Sequence, residues 1–311
     1  MSEDLVRAAT ETIARGSKSF AAASRLFGRE TREGAVMLYA WCRHCDDVVD
    51  EQELGFARGH GEVAASSARD RLSQLEASTR SALAGEAQAE PAFAALQAVA
   101  RRHAIPERLP LQHLAGFRMD IEGRRYLTIQ DTLDYAYHVA GVVGVMMAHV
   151  MGVRDPAVLD RASDLGLAFQ LTNIARDIVE DAGIGRVYVP EAWLREAGIP
   201  PEEVAEPRHR PALAGVASRL VEAAEPYYAS ARIGIAALPP RSAWAIATAH
   251  GVYRQIGIEV RRRGAAAWDE RVSTSKLQKL GHVGAGGLEA LLTRVPRPSP
   301  QPRRGLYQRP A

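Results

Sequence analysis

Ala162-Ser-Asp-Leu-Gly-Leu-Ala-Phe-Gln-Leu-Thr-Asn-Ile-Ala-Arg-Asp-Ile-Val-Glu-Asp181 carries the pattern that sets the fold class. Its apolar positions, Leu167, Leu171 and Ile174 among them, recur at three and four residues, which is the period of an α-helix and not the alternation of a strand. Within that frame Gln170, Asn173, Asp177 and Asp181 follow at spacings of three, four and four, so a polar stripe runs between aliphatic flanks. Amides and carboxylates crowded among aliphatic residues point to a polar wall inside an apolar cavity, where each polar group needs a partner. Oxygen ligands of this kind suit Mg²⁺, which keeps several waters and takes one or two carboxylates together with substrate phosphates.

The same device recurs independently in Met37-Leu-Tyr-Ala-Trp-Cys-Arg-His-Cys-Asp-Asp-Val-Val-Asp50. Asp46 and Asp50 stand one helical turn apart on one face, and Tyr39 and Arg43 continue that face toward the N-terminus. Like charges at this spacing cost about 0.2–0.5 kcal/mol in a bare helix and more when desolvated, and a divalent cation is the simplest offset. One such pair alone often marks a solvated face. Two acidic helices placed opposite each other are expected to clamp a diphosphate through bridging metals, with Arg43 and Arg176 neutralising the remaining charge. That arrangement suits the ionisation of an allylic diphosphate.

Beyond these stretches, three- and four-residue apolar spacing prevails and alternating β-branched runs are scarce, so the expected class is all-α. Gly and Pro punctuation predicts helices near 5–15, 31–52, 67–84, 92–103, 111–123, 129–152, 157–181, 212–237, 241–263 and 275–293. No repeat and no Ser/Gly-rich linker divides the chain, so residues 1–293 are expected to form one helical domain. Residues 294–311 mix five prolines with five arginines and are expected to form a disordered basic tail, solvated or weakly drawn to an anionic membrane.

Among 311 residues, 47% are apolar and 24% charged, enough for a large core and against disorder as the main state. The formal charge of +2 lacks the basic excess of a nucleic-acid binder. Residues 1–15 are polar and acidic rather than signal-like, and Val139–Val153 is interrupted by glycines and shorter than the roughly 20 residues a membrane span needs. The expected location is cytoplasmic, with peripheral membrane association as a further option. Cys42 and Cys45 form a C-x-x-C pair, but neither the strand-to-helix setting of a redox pair nor two further zinc ligands accompany it, so reduced thiols on a helix are expected.

Taken together, Ser17-Lys-Ser-Phe20, Tyr39-x-x-x-Arg43-x-x-Asp46-Asp-Val-Val-Asp50, Tyr135-Ala-Tyr-His-Val-Ala-Gly-Val-Val-Gly144, Gln170-Leu-Thr-Asn-Ile-Ala-Arg-Asp-Ile-Val-Glu-Asp181 and Gly185-Arg-Val-Tyr-Val-Pro190 resemble the successive motifs of the squalene/phytoene synthase family. The resemblance runs in order from about residue 10 to residue 280 and is strongest toward bacterial, phytoene-forming members. It implies a single-domain helical bundle of the isoprenoid synthase type with a central apolar cavity. It also implies a prenyltransferase of carotenoid biosynthesis that condenses two geranylgeranyl diphosphates through prephytoene diphosphate to phytoene. The implied cofactor is Mg²⁺, with Mn²⁺ as an alternative and no nicotinamide. The implied partners are geranylgeranyl diphosphate, a membrane surface and a phytoene desaturase that takes the product, but no nucleic acid.

Carried over residue by residue, the resemblance assigns Asp46 and Asp50 to the first metal motif, and Asp177 and Asp181 to the second, with Asn173 as an additional ligand. Asp47 and Glu180 are adjacent carboxylates of less defined role. Arg43, Arg176 and Tyr39 join the aspartates as catalytic candidates. Ser17, Ser19, Arg43, Arg176, Tyr253 and Arg271 match diphosphate-binding positions, and Phe20, Val139, Val143, Met147, Ala162 and Gly166 match the apolar tunnel. Tyr135, Gln170 and Arg186 complete the substrate-binding candidates.

These assignments agree with the chemistry, because a carbocation freed of its diphosphate must be kept from water and is stabilised by aromatic faces such as those of Phe20, Tyr39, Tyr135 and Tyr253. Gly141, Gly144 and Gly166 either let helices approach or leave room for a chain. Gly183–Pro190 combines hinge-capable glycines with Arg186 and Tyr188 and is expected to act as a lid or as a plain interhelical loop. Ser24, one turn beyond Phe20 among alanines, offers little bulk and favours twenty-carbon over fifteen-carbon donors. No Gly-rich dinucleotide fingerprint is present, which disfavours an NADPH-dependent squalene synthase. A helical metal phosphohydrolase lacks its histidines here, and a non-catalytic isoprenoid binder does not need both acidic motifs.

Overall fold

The structure is a computed structural model that describes residues 3–16, 23–49, 52–53, 56–57, 66–293 and 303–310. Its elements are α1 (Glu3–Gly16), α2 (Arg29–Val49), a two-residue antiparallel ladder of β1 (Gln52–Glu53) and β2 (Phe56–Ala57), α3 (Ser66–Ala84), α4 (Pro91–His103), α5 (Arg108–Ile121), α6 (Ile129–Ala136), α7 (Val142–Val150), α8 (Pro156–Gly183), α9 (Glu191–Glu196), α10 (Arg210–Gly234), α11 (Pro240–Arg263) and α12 (Lys276–Leu292). The all-α expectation holds.

Helix starts follow local chemistry. Asp155 caps α8 by accepting the Ala157 amide at 2.9 Å, with Pro156 in the first helical position where a missing N–H costs nothing. Capping boxes of Thr128 with Asp131 and Ser275 with Gln278 open α6 and α12. α4 ends at Ala104, whose left-handed φ of 47° closes the last turn onto Ala100.

The predicted helix 129–152 is interrupted by a π-helical turn over Tyr137–Gly141. Such a turn inserts one residue into the α-helical ladder and re-aims the side chains beyond it. α9 lies in a stretch that the punctuation left unassigned, directly after Pro190.

The chain divides into two compact units, Met1–Glu122 with Val145–Arg154, and Gly123–Gly144 with Asp155–Ala311. In the first, α2 packs on α1 and α4, and α3 on α4 and α5, around Trp41, Met37, Leu38, Leu96, Leu109 and Leu114. In the second, α8 packs along α10 and α11 around Tyr137, Leu167, Leu171 and Ile174.

Residues 303–310 correct the expectation of a solvated tail. Tyr307 is buried, and Arg303 and Arg309 pair with Asp164 and Asp160 on α8, so this stretch is fastened by specific partners that composition does not display. Residues 294–302 lie outside the described residues. Among the described residues no helix is long and apolar enough to cross a membrane.

Candidate active site

α8 presents the polar stripe as its spacing demands. Leu167, Leu171, Ile174, Ala175 and Ile178 are buried, while Gln170, Asn173, Arg176, Asp177 and Asp181 are half-buried along one side. Asp177 is the focus of the charge. Arg176 donates through Nε to its Oδ1 at 2.8 Å and through Nη2 to Oδ2, and Arg271 Nη2 reaches the same Oδ2 at 3.0 Å. Burial works against the Arg176 charge, and the hydrogen bonds and charge of Asp177 more than restore it, so its pKa lies above the ordinary value. Two guanidiniums therefore converge where one anionic oxygen pair sits, and phosphate oxygens are acceptors of the same class.

Two further features adjoin this focus. Tyr253 stacks on Phe169 with ring centroids 4.0 Å apart and planes 18° apart; burial pushes its phenol pKa up, against the lowering influence of Arg176. Asn173 Nδ2 reaches Gln170 Oε1 at 3.5 Å, but its own Oδ1 is buried without a partner. A buried unsatisfied oxygen is costly unless a ligand uses it. One turn from Asp177 and two from Asp181, this oxygen suits a hard divalent cation, so the residues of this helix fit the implied metal.

On α2 the same logic applies with a different pairing. Arg43 donates to Asp47 Oδ1 through Nε at 3.0 Å and Nη2 at 2.7 Å, whereas its Nη1 lies 3.9 Å from Asp46 Oδ2. The Asp47 side chain is 15% exposed and that of Asp46 41% exposed, so Asp47 anchors the arginine and Asp46 keeps the more accessible carboxylate. Burial raises the Tyr39 phenol pKa, with Arg43 opposing. Burial also raises both thiol pKa values of Cys42 and Cys45, which are free, as reduced thiols on a helix should be. Ser17, Ser19, Phe20 and Asp50 lie outside the described residues. Ser24 is buried.

Among the described residues, no three carboxylate, imidazole or thiolate side chains gather into a preformed metal cage.

Of the apolar candidates, Val139 sits on the π-turn, Val143 and Met147 on α7, and Ala162 and Gly166 on α8. Val139, Val143 and Met147 are half-buried at four-residue intervals in a run whose other large side chains are buried. The glycines beside them serve close approach. A Cβ on Gly166 would lie 2.3 Å from the Ala140 carbonyl oxygen, and one on Gly144 would lie 2.4 Å from that of Ala162. Backbone meets backbone at both positions, which decides between the two roles that the sequence left open for these residues.

Tyr135 is packed elsewhere. Its ring stacks on Tyr188 at 4.4 Å and 14°, with Tyr126 edge-on to Tyr135 at 5.4 Å. Tyr188 and Val189 are buried, and the Tyr188 carbonyl accepts from Thr132 Oγ1 at 2.8 Å, so the second half of the expected lid is fixed. Only Gly183, Ile184 and Gly185 of that loop are exposed, Gly185 with a φ of +80° that favours glycine; Arg186 and Val187 are half-buried.

A family model described as squalene/phytoene synthase matches residues 13–278. The chain belongs to the squalene/phytoene synthase family. Among its relatives is a phytoene synthase of Pseudescherichia vulneris, 55% identical over 303 residues covering 97% of each chain. Another is a 15-cis-phytoene synthase of Pantoea ananas, 55% identical over 306 residues covering 98% of each. A solved dehydrosqualene synthase in complex with ligand superposes with a TM-score of 0.80 at 25% identity, covering 91% of this chain and 95% of that one. The fold is thus the all-α isoprenoid synthase fold, as the motifs implied.

Within the family frame, the structure groups Arg176, Asp177, Arg271 and Tyr253 tightly, with Asn173 and Gln170 one to two turns away on α8. It places Tyr39, Arg43 and Asp46 on one side of α2. Sequence reasoning missed Phe169 as the stacking partner of Tyr253, and it left undefined the role of Asp47 as the anchor of Arg43. An aromatic residue immediately before Gln170 of the polar stripe was the available signal for Phe169, and an i to i+4 spacing from Arg43 was the signal for Asp47.

Proposed function

We propose that this protein condenses two geranylgeranyl diphosphates head to head, through prephytoene diphosphate, to phytoene, with release of both diphosphates, at an early step of carotenoid biosynthesis. The observation that carries this reading is the 55% identity to phytoene synthases over nearly the whole chain, with both acidic motifs present.

Asp46, Asp50, Asn173, Asp177 and Asp181 would hold the divalent cation, Mg²⁺ with Mn²⁺ as substitute. When bound, it supplies positive charge that stabilises the departing diphosphate. Arg43, Arg176, Arg271, Arg186, Ser17, Ser19, Gln170 and Tyr253 hold the diphosphates and their waters. Val139 and Val143 with Phe20 shield the isoprenoid chain, and Tyr39 offers its ring to the passing cation. The reaction ends by proton loss, so no nicotinamide is consumed.

Membrane contact and transfer to a desaturase follow from the product, an uncharged forty-carbon hydrocarbon. The exposed side of α12 supports the contact. Leu277, Leu280, Leu288, Leu291 and Leu292 are 50–79% exposed and fall within one arc of the helix, beside Lys276 and Lys279.

Initial rates with geranylgeranyl diphosphate and with farnesyl diphosphate, each with and without Mg²⁺, test the reading. Mg²⁺-dependent turnover that prefers the twenty-carbon donor supports it, and preference for the fifteen-carbon donor overturns the substrate assignment.

A further inference from the structure

Asp164 is a carboxylate in the middle of the apolar run of α8, and it is fully buried. Arg161, one turn earlier on α8, lends it positive charge and donates to Ser230 Oγ at 3.1 Å, but the direct hydrogen bonds to the carboxylate are made by other elements. The partners come from afar: Arg303 donates through Nε to Oδ2 at 2.7 Å and through Nη2 to Oδ1 at 2.6 Å across 139 residues of chain, and Ser230 Oγ on α10 donates to Oδ2 at 2.5 Å. A buried carboxylate deprived of its bidentate guanidinium loses its strongest partner in a poorly solvating interior, so this pair is consequential whichever partner is removed.

The rest of the segment is fastened as closely. Arg309 Nε donates to Asp160 on α8 at 2.5 Å, and Arg303 Nη1 lies 3.4 Å from the same carboxylate. Tyr307 is buried; its hydroxyl donates to Asp134 Oδ1 on α6 at 2.9 Å, and its amide donates to the Tyr227 hydroxyl on α10 at 3.2 Å. Its ring centroid lies 5.7 Å from that of Tyr137, the first residue of the π-turn. Burial and the bond to Asp134 raise the Tyr307 phenol pKa, so it remains a donor at neutral pH.

The anchors therefore fall on α6, the π-turn, α8 and α10. The π-turn and α8 also meet backbone to backbone, at Ala140 with Gly166, and they carry Val139, Asn173 and Asp177. A π-turn adds one residue to the helical ladder, and the packing around it fixes where the side chains beyond it point.

We infer that residues 303–309 form a strap that holds the π-turn against α8, with Arg303 and Tyr307 as positioning residues for the proposed prenyl transfer, on which reading the catalytic part of the inference rests. Neither residue touches a reacting group. Both act through Asp164, Asp134 and Tyr137.

The test uses the full chain with Arg303→Gln, Asp164→Asn, the double variant Arg303→Gln/Asp164→Asn, Tyr307→Phe, and Arg304→Gln as an exposed neighbour. Hydrogen exchange is followed over residues 134–168, and kcat and KM are measured with geranylgeranyl diphosphate at a temperature where each variant is folded. Arg303→Gln is expected to speed exchange in this region and to lower kcat about tenfold with KM changed less than threefold. The double variant, which removes both buried charges and keeps two amides that can bond, is expected to recover most of that loss. Tyr307→Phe is expected to loosen residues 134–144 alone, and Arg304→Gln to match the parent.

Unchanged exchange in Arg303→Gln and Tyr307→Phe overturns the strap. Faster exchange with unchanged kcat reduces it to a stabilising contact and overturns the positioning role. A parent protein that converts no geranylgeranyl diphosphate contradicts the prenyl-transfer reading instead, and the exchange comparison still decides the strap.

Discussion

Replacing Gly166 with alanine tests whether the glycines of the apolar wall exist for helix approach. The added Cβ would lie 2.3 Å from the Ala140 oxygen, 2.6 Å from its carbonyl carbon and 2.7 Å from the Gly141 Cα, where ordinary contact begins at 3.4 Å. All three obstacles are backbone, so no rotamer change relieves them, and the π-turn and α8 must part by about 1 Å. Overpacking of this kind costs about 1–3 kcal/mol, with backbone obstacles at the upper end, while alanine in a helix returns about 1 kcal/mol over glycine. The net loss is about 2 kcal/mol, or a fall in Tm of about 3 °C for a chain of this length. Gly183→Ala is the matched control, since its Cβ meets nothing within 4 Å. Calorimetry on both variants, each with and without geranylgeranyl diphosphate, reads the difference. If Gly166→Ala melts at or above the parent temperature, the position is spacious and close approach is not the role of its glycine.

Asp177→Asn removes the charge that gathers Arg176 and Arg271 as well as a metal ligand; turnover at saturating Mg²⁺ is expected to fall about 100-fold or more, and a rate within twofold of the parent would remove Asp177 from the machinery. His250 is buried with Nε2 3.0 Å from the Tyr228 carbonyl oxygen, and burial holds its pKa below 6.5. Above pH 6.5 both folded and unfolded forms are neutral; below it the unfolded chain binds the proton more readily, so stability falls as pH falls. His250→Gln is therefore expected to flatten the slope of Tm between about pH 6.5 and 5, in part only, because burial lowers His103 and His282 too, and an unchanged slope speaks against the assignment. Leu280→Ser/Leu288→Ser/Leu291→Ser is expected to abolish flotation with anionic vesicles while leaving Tm within about 2 °C of the parent, since these side chains are exposed; flotation at parental levels would exclude this face.

The helical architecture was legible because its determinants are local. The period of Leu167, Leu171 and Ile174, the Asp155-Pro156 start of α8, and the turn residues around Gly85 and Gly198 each act within a few residues. The polar stripe on α8 was legible for the same reason, since one helix fixes the face on which Asn173, Asp177 and Asp181 stand. The π-turn at Tyr137–Gly141 was not, because its sequence reads as a continuous apolar helix and the extra residue answers to packing against α8. Nor was the order of residues 303–310. Composition there signals solvation, and a single buried acid, Asp164, overrides it from far away in sequence. The choice of Arg43 between Asp46 and Asp47 depends on rotamer and burial, because both carboxylates lie within reach of the same helix turn.

Phytoene formation itself is read by incubating the purified protein with geranylgeranyl diphosphate and Mg²⁺, without any nicotinamide, and identifying the product by mass and chromatography. Phytoene is expected from the parent and is expected to be lost in Asp46→Asn and Asp177→Asn. No hydrocarbon from this substrate, or a hydrocarbon that forms only when NADPH is added, would refute the assignment.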